Sequence, residues 1–303
     1  MNSGFVVLLG RPNVGKSTLL NKLVGAKISI VTPRPQTTRD AIQGAVTGPR
    51  GQIIFVDSPG IHEPSLELGR RMMNEVRRAT AGCHLVMLLV DASEPDQEGD
   101  RAALEMLRDL RLPVMLLINK IDLLRSKGEI LPQIDLYRQR LDFLEIVPVS
   151  AQKGANLDVL VDLIYKNLPE AQPFYPEDYL TDQPERFLAA ELIREQIILE
   201  TQREVPYSTA VVIDVWEETP RLLRLSATVF VERDGQKAIL IGARGQMMKK
   251  IATQARKQLE KHLGRKIFLE VFVKVHPRWR DQSGFVNALD FHRMVAHEVS
   301  TEG

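Results

Sequence analysis

The sequence predicts an α/β fold, in which a doubly wound and mostly parallel sheet is followed by a smaller α+β domain. Apolar runs of strand length alternate with longer amphipathic segments through the first half of the chain, as in a sheet that helices cover on both faces. A proline-rich stretch then breaks the alternation, and a different order of elements follows it. The length of 303 residues also exceeds the usual size of one domain, so we expect two.

The first domain is predicted to span residues 1–168 and to contain six strands. The turn sequence Gly-Pro-Arg-Gly at 48–51 separates the second strand from the third, which indicates a hairpin and makes the second strand an antiparallel edge. In such a sheet, ligands bind at the carboxyl ends of the strands. The predicted strands are residues 5–9, 41–47, 53–56, 85–90, 114–118 and 146–149, and the predicted helices begin near Lys16, Leu66, Glu98, Glu129 and Asn156.

A linker and a second domain follow. Residues 169–185 hold four prolines and are predicted to form an ordered linker. Residues 186–280 are predicted to fold in the order α-β-β-α-α-β, and residues 281–303 form a C-terminal tail. The predicted elements are a helix with apolar residues from Phe187 to Ile197, strands at 209–216 and 223–232, helices at 238–241 and 247–263, and a strand at 267–275.

Composition excludes several classes of protein. Cys83 is the only cysteine, so the chain forms no intramolecular disulfide, and its apolar surroundings predict a buried side chain. The longest apolar runs are far shorter than the ~20 residues of a membrane-spanning helix, and the amino terminus lacks the basic leader of a cleaved signal peptide. We therefore expect a protein of the reducing cytosol.

The net charge of +1 conceals an uneven distribution of charge. Between Gln236 and Arg280 the chain has twelve Lys or Arg against two acidic residues, whereas the remainder has 28 basic against 37 acidic residues. A single strongly basic block predicts a polyanionic partner for that block. For any one of these lysines alone, a solvated helix face would be the simpler interpretation.

A phosphate-binding loop is predicted between the first strand and the first helix. The residues Gly10-Arg-Pro-Asn-Val-Gly-Lys-Ser17 match its pattern, in which glycines let backbone N–H groups surround phosphates at a helix N-terminus. Lys16 is predicted to reach the β- and γ-phosphates and to act in catalysis, and Ser17 to ligate magnesium. The predicted nucleotide contacts of this loop are Asn13, Val14, Gly15, Lys16, Ser17 and Thr18.

Two later motifs predict that the base is guanine. Asn119-Lys-Ile-Asp122 follows the fifth strand, and the Asp122 carboxylate can accept hydrogen bonds from guanine N1–H and from its exocyclic amine. Adenine lacks this donor pair, which argues against an ATPase or a nucleotide kinase. Ser150-Ala-Gln152 follows the sixth strand and is predicted to donate backbone N–H groups to the guanine oxygen. The predicted base contacts are Asn119, Lys120, Asp122, Ser150, Ala151 and Gln152.

A magnesium site and a switch are predicted at the same edge of the sheet. Asp57 ends the third strand and is predicted to hold the ion through its water shell, and Gly60 to act at the γ-phosphate. The loop before the second strand holds Thr37 and Thr38, and a threonine there ligates the ion in the GTP state of switch proteins. We favour Thr38 as this ligand and a turn role for Thr37. Ser17, Thr38 and Asp57 are thus the predicted metal ligands, and Lys16, Thr38 and Gly60 are the predicted catalytic residues.

The position after Gly60 predicts slow hydrolysis. Many small GTPases carry there a glutamine that orients the attacking water, whereas this chain has Ile61. Isoleucine neither donates nor accepts a hydrogen bond, so the rate without partners should be low. Two interpretations of Asn13 stay open: it is a ligand for a potassium ion that acts like an arginine finger, or it braces the loop.

A Gly-x-x-Gly turn, Gly242-Ala-Arg-Gly245, joins the two predicted helices of the basic block. In RNA-binding modules of the KH class such a turn brings the protein backbone close to the nucleic-acid backbone, although a lone Gly-x-x-Gly is more often merely a helix cap and turn. Its position within the basic block favours RNA, and Trp279 either stacks on a base or closes the core. The predicted RNA contacts are Gly242, Ala243, Arg244, Gly245, Lys249, Lys250, Arg256 and Lys257, with an apolar groove from Ile239, Leu240, Ile241 and Ile251.

These motifs resemble the Era family of bacterial GTPases over nearly the whole chain. Besides the phosphate-binding loop and the Asn119–Asp122 motif, the resemblance rests on Pro35-Gln-Thr-Thr-Arg39, Pro176-Glu-Asp-Tyr-Leu-Thr-Asp182 and Val273-Lys-Val-His-Pro-Arg-Trp-Arg280. It implies GTP or GDP and Mg²⁺ as ligands and a KH-type (type II) second domain. It also implies binding to the 3′ end of small-subunit ribosomal RNA, a role in maturation of the small ribosomal subunit, and a cytoplasmic location with peripheral association at the inner face of the cell membrane. We further expect a monomer.

The chain departs from the family pattern at Ser58, where threonine is usual, and at His276, where a basic residue is common. The tail after Asp281 matches the family only loosely. One alternative function stays open: a GTPase that acts in tRNA modification or as the switch of a protein complex, with a second domain that binds protein.

Overall fold

A computed structural model describes residues 1–289 of the chain. These residues form two compact units, and the main boundary between the units lies between Asp182 and Gln183. Among the described residues, no helix is both long and apolar enough to cross a membrane.

The first unit is built on a six-stranded sheet with the order β2-β3-β1-β4-β5-β6. All neighbouring strands are parallel except β2 and β3, which form an antiparallel hairpin at the edge of the sheet. The predictions of a mostly parallel sheet and of an antiparallel edge strand are therefore confirmed. The strands are β1 (Gly4–Leu9), β2 (Ile42–Gly48), β3 (Gly51–Asp57), β4 (Leu85–Asp91), β5 (Val114–Asn119) and β6 (Glu145–Pro148).

Two hydrophobic layers cover the faces of this sheet. Strand residues alternate between the layers, so that Val6 and Leu8 pack into one and Val7 and Leu9 into the other, as the two-residue period of a strand requires. Cys83 is buried in the second layer as predicted, and burial raises the pKa of its thiol to about 11. The helices are α1 (Lys16–Val24), α2 (Glu67–Thr80), α3 (Glu98–Arg108), α4 (Ile130–Arg138) and α5 (Leu157–Asn167).

The segment after α5 is bonded to the β2–β3 hairpin. The backbone N–H of Ala45 donates to Leu180 O at 2.9 Å, and the Thr181 hydroxyl donates to Gln43 O at 2.7 Å. The fully buried Gln52 side chain accepts backbone N–H groups from residues 174 and 175, both at 2.9 Å. Residues 169–182 thus belong to the first unit.

The second unit has a three-stranded sheet with the order β7-β8-β9. Strands β7 and β8 are antiparallel, β8 and β9 are parallel, and β9 has the predicted bounds. The helix predicted at 238–241 begins earlier, because Gln236 Oε1 accepts the backbone N–H groups of Glu232 and Arg233 and supports a polar first turn. The elements are α6 (Glu185–Glu200), β7 (Ala210–Glu218), β8 (Leu223–Val231), α7 (Asp234–Ile241), α8 (Gln246–Leu263), β9 (Ile267–Val275) and α9 (Ser283–Ala288).

Candidate functional site

The phosphate-binding loop lies between β1 and α1, as predicted. Gly15 precedes α1 with φ of 103°, a conformation that favours glycine. The Lys16 ammonium is buried and donates to Gly10 O and to Arg11 O, both at 3.0 Å. Burial lowers the pKa of Lys16 to about 8, although the Asp57 carboxylate partly offsets this effect. Because the ammonium is largely shielded from water and yet lines the cleft, an anion that entered the cleft would interact with it strongly.

Three oxygen-bearing side chains meet at the start of α1. Ser17 Oγ lies 2.8 Å from Thr38 Oγ1 and donates to Asp57 Oδ2 at 2.6 Å. The Ser29 hydroxyl also donates to Asp57 Oδ2, at 3.1 Å. Burial raises the pKa of Asp57 despite the Lys16 charge and these hydrogen bonds. The structure therefore brings together all three residues that the sequence predicts as metal ligands.

This arrangement fits a hard divalent cation. Asp57 Oδ1 is buried and has no hydrogen-bond partner among the described residues, so it is available to a metal-bound water. Hydroxyl and carboxylate oxygens are the ligands that Mg²⁺ prefers, usually together with phosphate oxygens. Within residues 1–289 no group of three or more His, Cys, Asp or Glu side chains could hold a metal by itself. A magnesium ion here would depend on nucleotide phosphates for its remaining ligands.

The two threonines of the switch loop have different surroundings. Thr38 is buried beside Ser17 and Asp57. Thr37 lies in a local turn, where its hydroxyl donates to Arg34 O at 2.7 Å and is 2.6 Å from Thr32 Oγ1. This geometry supports the metal role for Thr38 and the turn role for Thr37.

The predicted base-recognition loops are joined to the phosphate-binding loop. Asn119 donates to Val14 O at 2.7 Å and accepts the backbone N–H of Ala151 at 2.9 Å. Ser150 Oγ donates to Asp122 Oδ1 at 2.5 Å, which orients an exposed carboxylate. Asn119 therefore holds both loops in place, whereas Asp122 is accessible to a ligand.

A cleft of about 570 Å³ runs from the phosphate-binding loop to the base-recognition loops. Its lining includes residues from both loops, from the switch loop and from the end of β4. Val14, Asp57, Asn119, Asp122, Ser150 and Ala151 do not line it directly. The predicted site residues in the lining are Asn13, Gly15, Lys16, Ser17, Thr18, Thr38, Gly60, Lys120 and Gln152.

Ile61, the residue after Gly60, has a structural role. Ile61 is buried in the second hydrophobic layer, and its backbone N–H donates to Gly10 O at 3.2 Å. A buried aliphatic side chain cannot orient a water, in agreement with the prediction of slow hydrolysis.

The Asn13 side-chain amide donates to Pro33 O at 3.0 Å. This contact suits the bracing interpretation, and it leaves the Asn13 side-chain oxygen as the atom that a cation would use.

Sequence reasoning missed a charged cluster beside the cleft. Arg11 lies between carboxylates of Asp91, Glu94 and Asp100, with the shortest contact, 3.1 Å, to Glu94. Asp91 also forms an ion pair with Lys120 at 2.6 Å. The available signal was that Asp91 follows an apolar strand, just as Asp57 does.

The Gly242–Gly245 turn is exposed at the start of α8. Gly242 has φ of 69°, and a Cβ there would lie 2.6 Å from Met247 Cβ, so the turn and the helix approach too closely for a side chain. Arg244 also has a positive φ, 51°, and its side chain is exposed together with those of Ala243 and Lys249. The two central residues of this turn are therefore exposed, and one of them carries a positive charge.

Several predictions for the second unit need correction. Leu240 and Ile251 are fully buried, so they belong to the core and do not line a groove, whereas Ile239 is exposed. Trp279 is fully buried and donates to Ser208 O at 2.9 Å, which excludes the base-stacking alternative.

Two of the predicted cationic RNA contacts are held by acidic partners. Lys250 pairs with Glu200 at 2.5 Å and Arg256 with Glu260 at 2.9 Å. Within residues 1–289, Arg244, Lys249 and Lys257 have no ion-pair partner. Of the predicted cationic contacts, these three are therefore the ones most available to phosphates.

Family models match both units. A model described as 50S ribosome-binding GTPase matches residues 5–120, and a model described as KH domain matches residues 204–280. The first match covers the cleft from the phosphate-binding loop to Lys120. The second covers the Gly242–Gly245 turn and all three strands of the second sheet.

Relatives and solved structures match nearly the whole chain. The chain is 44% identical to GTPase Era of Heliobacterium modesticaldum over 96% of its own length and 97% of that protein. It is 47% identical to GTPase Era of Geobacter sp., over 93% and 95% of the two chains. A crystal structure of a variant of Aquifex aeolicus Era bound to GDP·AlF4⁻ matches with a TM-score of 0.93 and 41% identity over 96% of this chain and 99% of that one. A structure of Era in complex with MgGDPNP and nucleotides 1506–1542 of 16S ribosomal RNA matches with the same TM-score, identity and coverage.

Proposed function

Because the chain belongs to the Era family of GTPases, we propose that it is a GTP-hydrolysing switch that binds the 3′ end of small-subunit ribosomal RNA and assists maturation of the small ribosomal subunit. One observation carries this proposal. The same chain has a nucleotide cleft with its metal-binding side chains already together and an exposed Gly-x-x-Gly turn within a basic block. A related structure holds a guanine nucleotide analogue and ribosomal RNA at once.

The cleft would select guanine and hold the phosphates through this chain's own groups. Asp122 is fixed by Ser150 and presents its exposed carboxylate to the donor edge of guanine. Lys16 would exchange its two carbonyl partners for the β- and γ-phosphates, a stronger pairing because both partners are charged. The backbone N–H groups at the start of α1 add favourable dipole charge.

Ser17, Thr38 and Asp57 would hold the magnesium ion. When bound, the ion neutralises charge on the β- and γ-phosphates. Thr38 lies on the switch loop, so its contact with the ion would depend on which nucleotide is present. Loss of the γ-phosphate would weaken that contact and release the loop.

Hydrolysis would be slow without a partner. Ile61 is buried and offers no group to orient the attacking water. We propose that Asn13 provides an oxygen ligand for K⁺ at the phosphates, where a monovalent cation would add positive charge in the transition state.

The second unit would bind single-stranded RNA at the Gly242–Gly245 turn. Gly242 permits a close approach of backbones, and Arg244 and Lys249 would contact phosphates. We further propose that the protein is a cytoplasmic monomer that associates peripherally with the inner face of the cell membrane.

Crosslinking in cell extract tests the RNA target. The protein is crosslinked to RNA with GTP or with GDP, and the bound fragments are sequenced. We expect fragments from the 3′ end of small-subunit ribosomal RNA, with an abundance that depends on the nucleotide. Enrichment of transfer RNA, or recovery of protein partners without RNA, would instead support the alternative function.

A further inference from the structure

Asp91 is the last residue of β4, and its carboxylate is almost completely buried beside the nucleotide cleft. Asp91 Oδ2 accepts from Lys120 Nζ at 2.6 Å. Asp91 Oδ1 accepts from the backbone N–H of Ser93 at 2.9 Å and from its hydroxyl at 2.6 Å. One buried side chain thus contacts both its own loop and the base-recognition loop.

A third partner extends this contact to the phosphate-binding loop. Arg11 Nη2 lies 4.0 Å from Asp91 Oδ2, and the Arg11 guanidinium is further held by Glu94 and Asp100. Lys120 and Arg11 both line the cleft, and they lie on the loops that would hold the base and the phosphates. Asp91 therefore lies between two loops that would contact opposite ends of a bound nucleotide.

The Asp91 carboxyl is ionised in spite of its burial. Burial raises the pKa of its carboxyl, but the hydrogen bonds from Lys120 and Ser93 outweigh that effect and leave the pKa below its ordinary value. A carboxylate that is ionised and buried next to one ammonium holds that ammonium firmly, because water does not screen the pair well.

We propose that Asp91 is a positioning residue for nucleotide binding, which acts by fixing Lys120, and with it the base-recognition loop, against the cleft. Lys120, whose ammonium donates to Asp91, lines the cleft together with Gln152. The inference rests on the proposed guanine-nucleotide site. The competing explanation is that Asp91 only shapes the turn to Ser93.

The test uses Asp91→Asn, which keeps the volume and the acceptor for Ser93 but removes the charge that holds Lys120. We expect GDP affinity of the full-length protein to fall by about 10- to 100-fold, as for a lost charge-assisted hydrogen bond. Turnover at saturating GTP should stay within about twofold, because only binding is affected. The matched control is Asp96→Asn, since Asp96 pairs with Arg101 and Arg140 outside the cleft.

A double-mutant cycle separates positioning from folding. Lys120→Met should weaken GDP binding, and adding Asp91→Asn should cause little further loss, because the carboxylate acts through Lys120. Ser93→Ala should lower the melting temperature without a comparable change in affinity.

Any of three results would overturn the positioning role. The losses in the cycle could be additive, the GDP affinity of Asp91→Asn could be unchanged, or Asp91→Asn could fail to fold. If the unmodified protein binds no GDP, the proposed function fails instead.

Discussion

Replacing Ala243 and Arg244 together by Asp places two carboxylates where RNA phosphates would approach. Both side chains are exposed, so the change removes no core contact. Arg244 has φ of 51°, a region that Asp adopts more readily than most residues, and the turn should therefore keep its shape. The expected effect is a loss of RNA binding in a protein that remains folded.

The size of the loss follows from the charges at the turn. Loss of the Arg244 contact should cost about 10- to 100-fold in affinity. Each new carboxylate about 4 Å from a phosphate should cost about fivefold more, even in water. Together the two substitutions should weaken binding by roughly 250- to 2,500-fold.

Salt dependence provides a second measure of the same site. Each phosphate contact on a single strand contributes a slope of about −0.7 in a plot of log affinity against log salt. Arg244, Lys249 and Lys257 would give a slope of about −2, since Lys250 and Arg256 are held by acidic partners. The double variant should have a slope that is shallower by about 0.7.

The assay is titration of a labelled RNA from the 3′ end of small-subunit ribosomal RNA at several salt concentrations, with a thermal melt of each variant. Arg221→Asp is the matched control, because Arg221 is exposed on the turn between β7 and β8, outside the basic block. GTP binding should be normal in both variants. A double variant that melts normally and binds RNA like the unmodified protein would refute the RNA role of the turn.

Three further predictions concern the nucleotide cleft. Asp122→Asn should weaken GTP binding by roughly 3–6 kcal/mol and improve binding of xanthosine triphosphate; unchanged GTP affinity would place the base elsewhere. Potassium should accelerate turnover relative to sodium, and Asn13→Ala should abolish the difference; equal rates in the two salts would exclude the cation role. Because Lys16 has a pKa of about 8 in the free protein, GDP affinity should fall as pH rises above 8. At Lys16 the unfolded chain binds more protons than the folded chain between about pH 8 and 10.5. The contribution of Lys16 to the free energy of unfolding should therefore rise with pH over that range. Lys16→Met should remove both trends, and a GDP affinity that is constant from about pH 7 to 9.5 would contradict either the lowered pKa of Lys16 or its pairing with the phosphates.

The nucleotide site was largely predictable because its residues follow the ends of apolar strands, where parallel topology brings them to one edge. Ser17, Thr38 and Asp57 are distant in sequence, yet each could be assigned from a local pattern. Asp91 followed a strand in the same way, but no motif distinguishes it from a turn residue. Its role depends on the ion pair with Lys120, which only the fold shows.

The second unit was less predictable because burial there depends on packing between elements. Leu240 and Ile239 are adjacent apolar residues, and only the helix orientation places one in the core and the other at the surface. The charge of Lys250 was visible in the sequence, but its pairing with Glu200 was not, because the two residues lie on different helices.

The hydrogen bonds between residues 169–182 and the β2–β3 hairpin determine where an isolated nucleotide-binding fragment should end. A chain that ends at residue 168 would leave the outer edge of β2 unpaired, and an open strand edge promotes aggregation. It would also remove the backbone donors at residues 174 and 175 from the buried Gln52 side chain, at a cost of about 1–3 kcal/mol. A chain that ends after Asp182 keeps both sets of bonds, including the one from Gln43 N–H to the Asp182 carboxylate. The longer fragment should therefore be soluble at concentrations at which the shorter one precipitates.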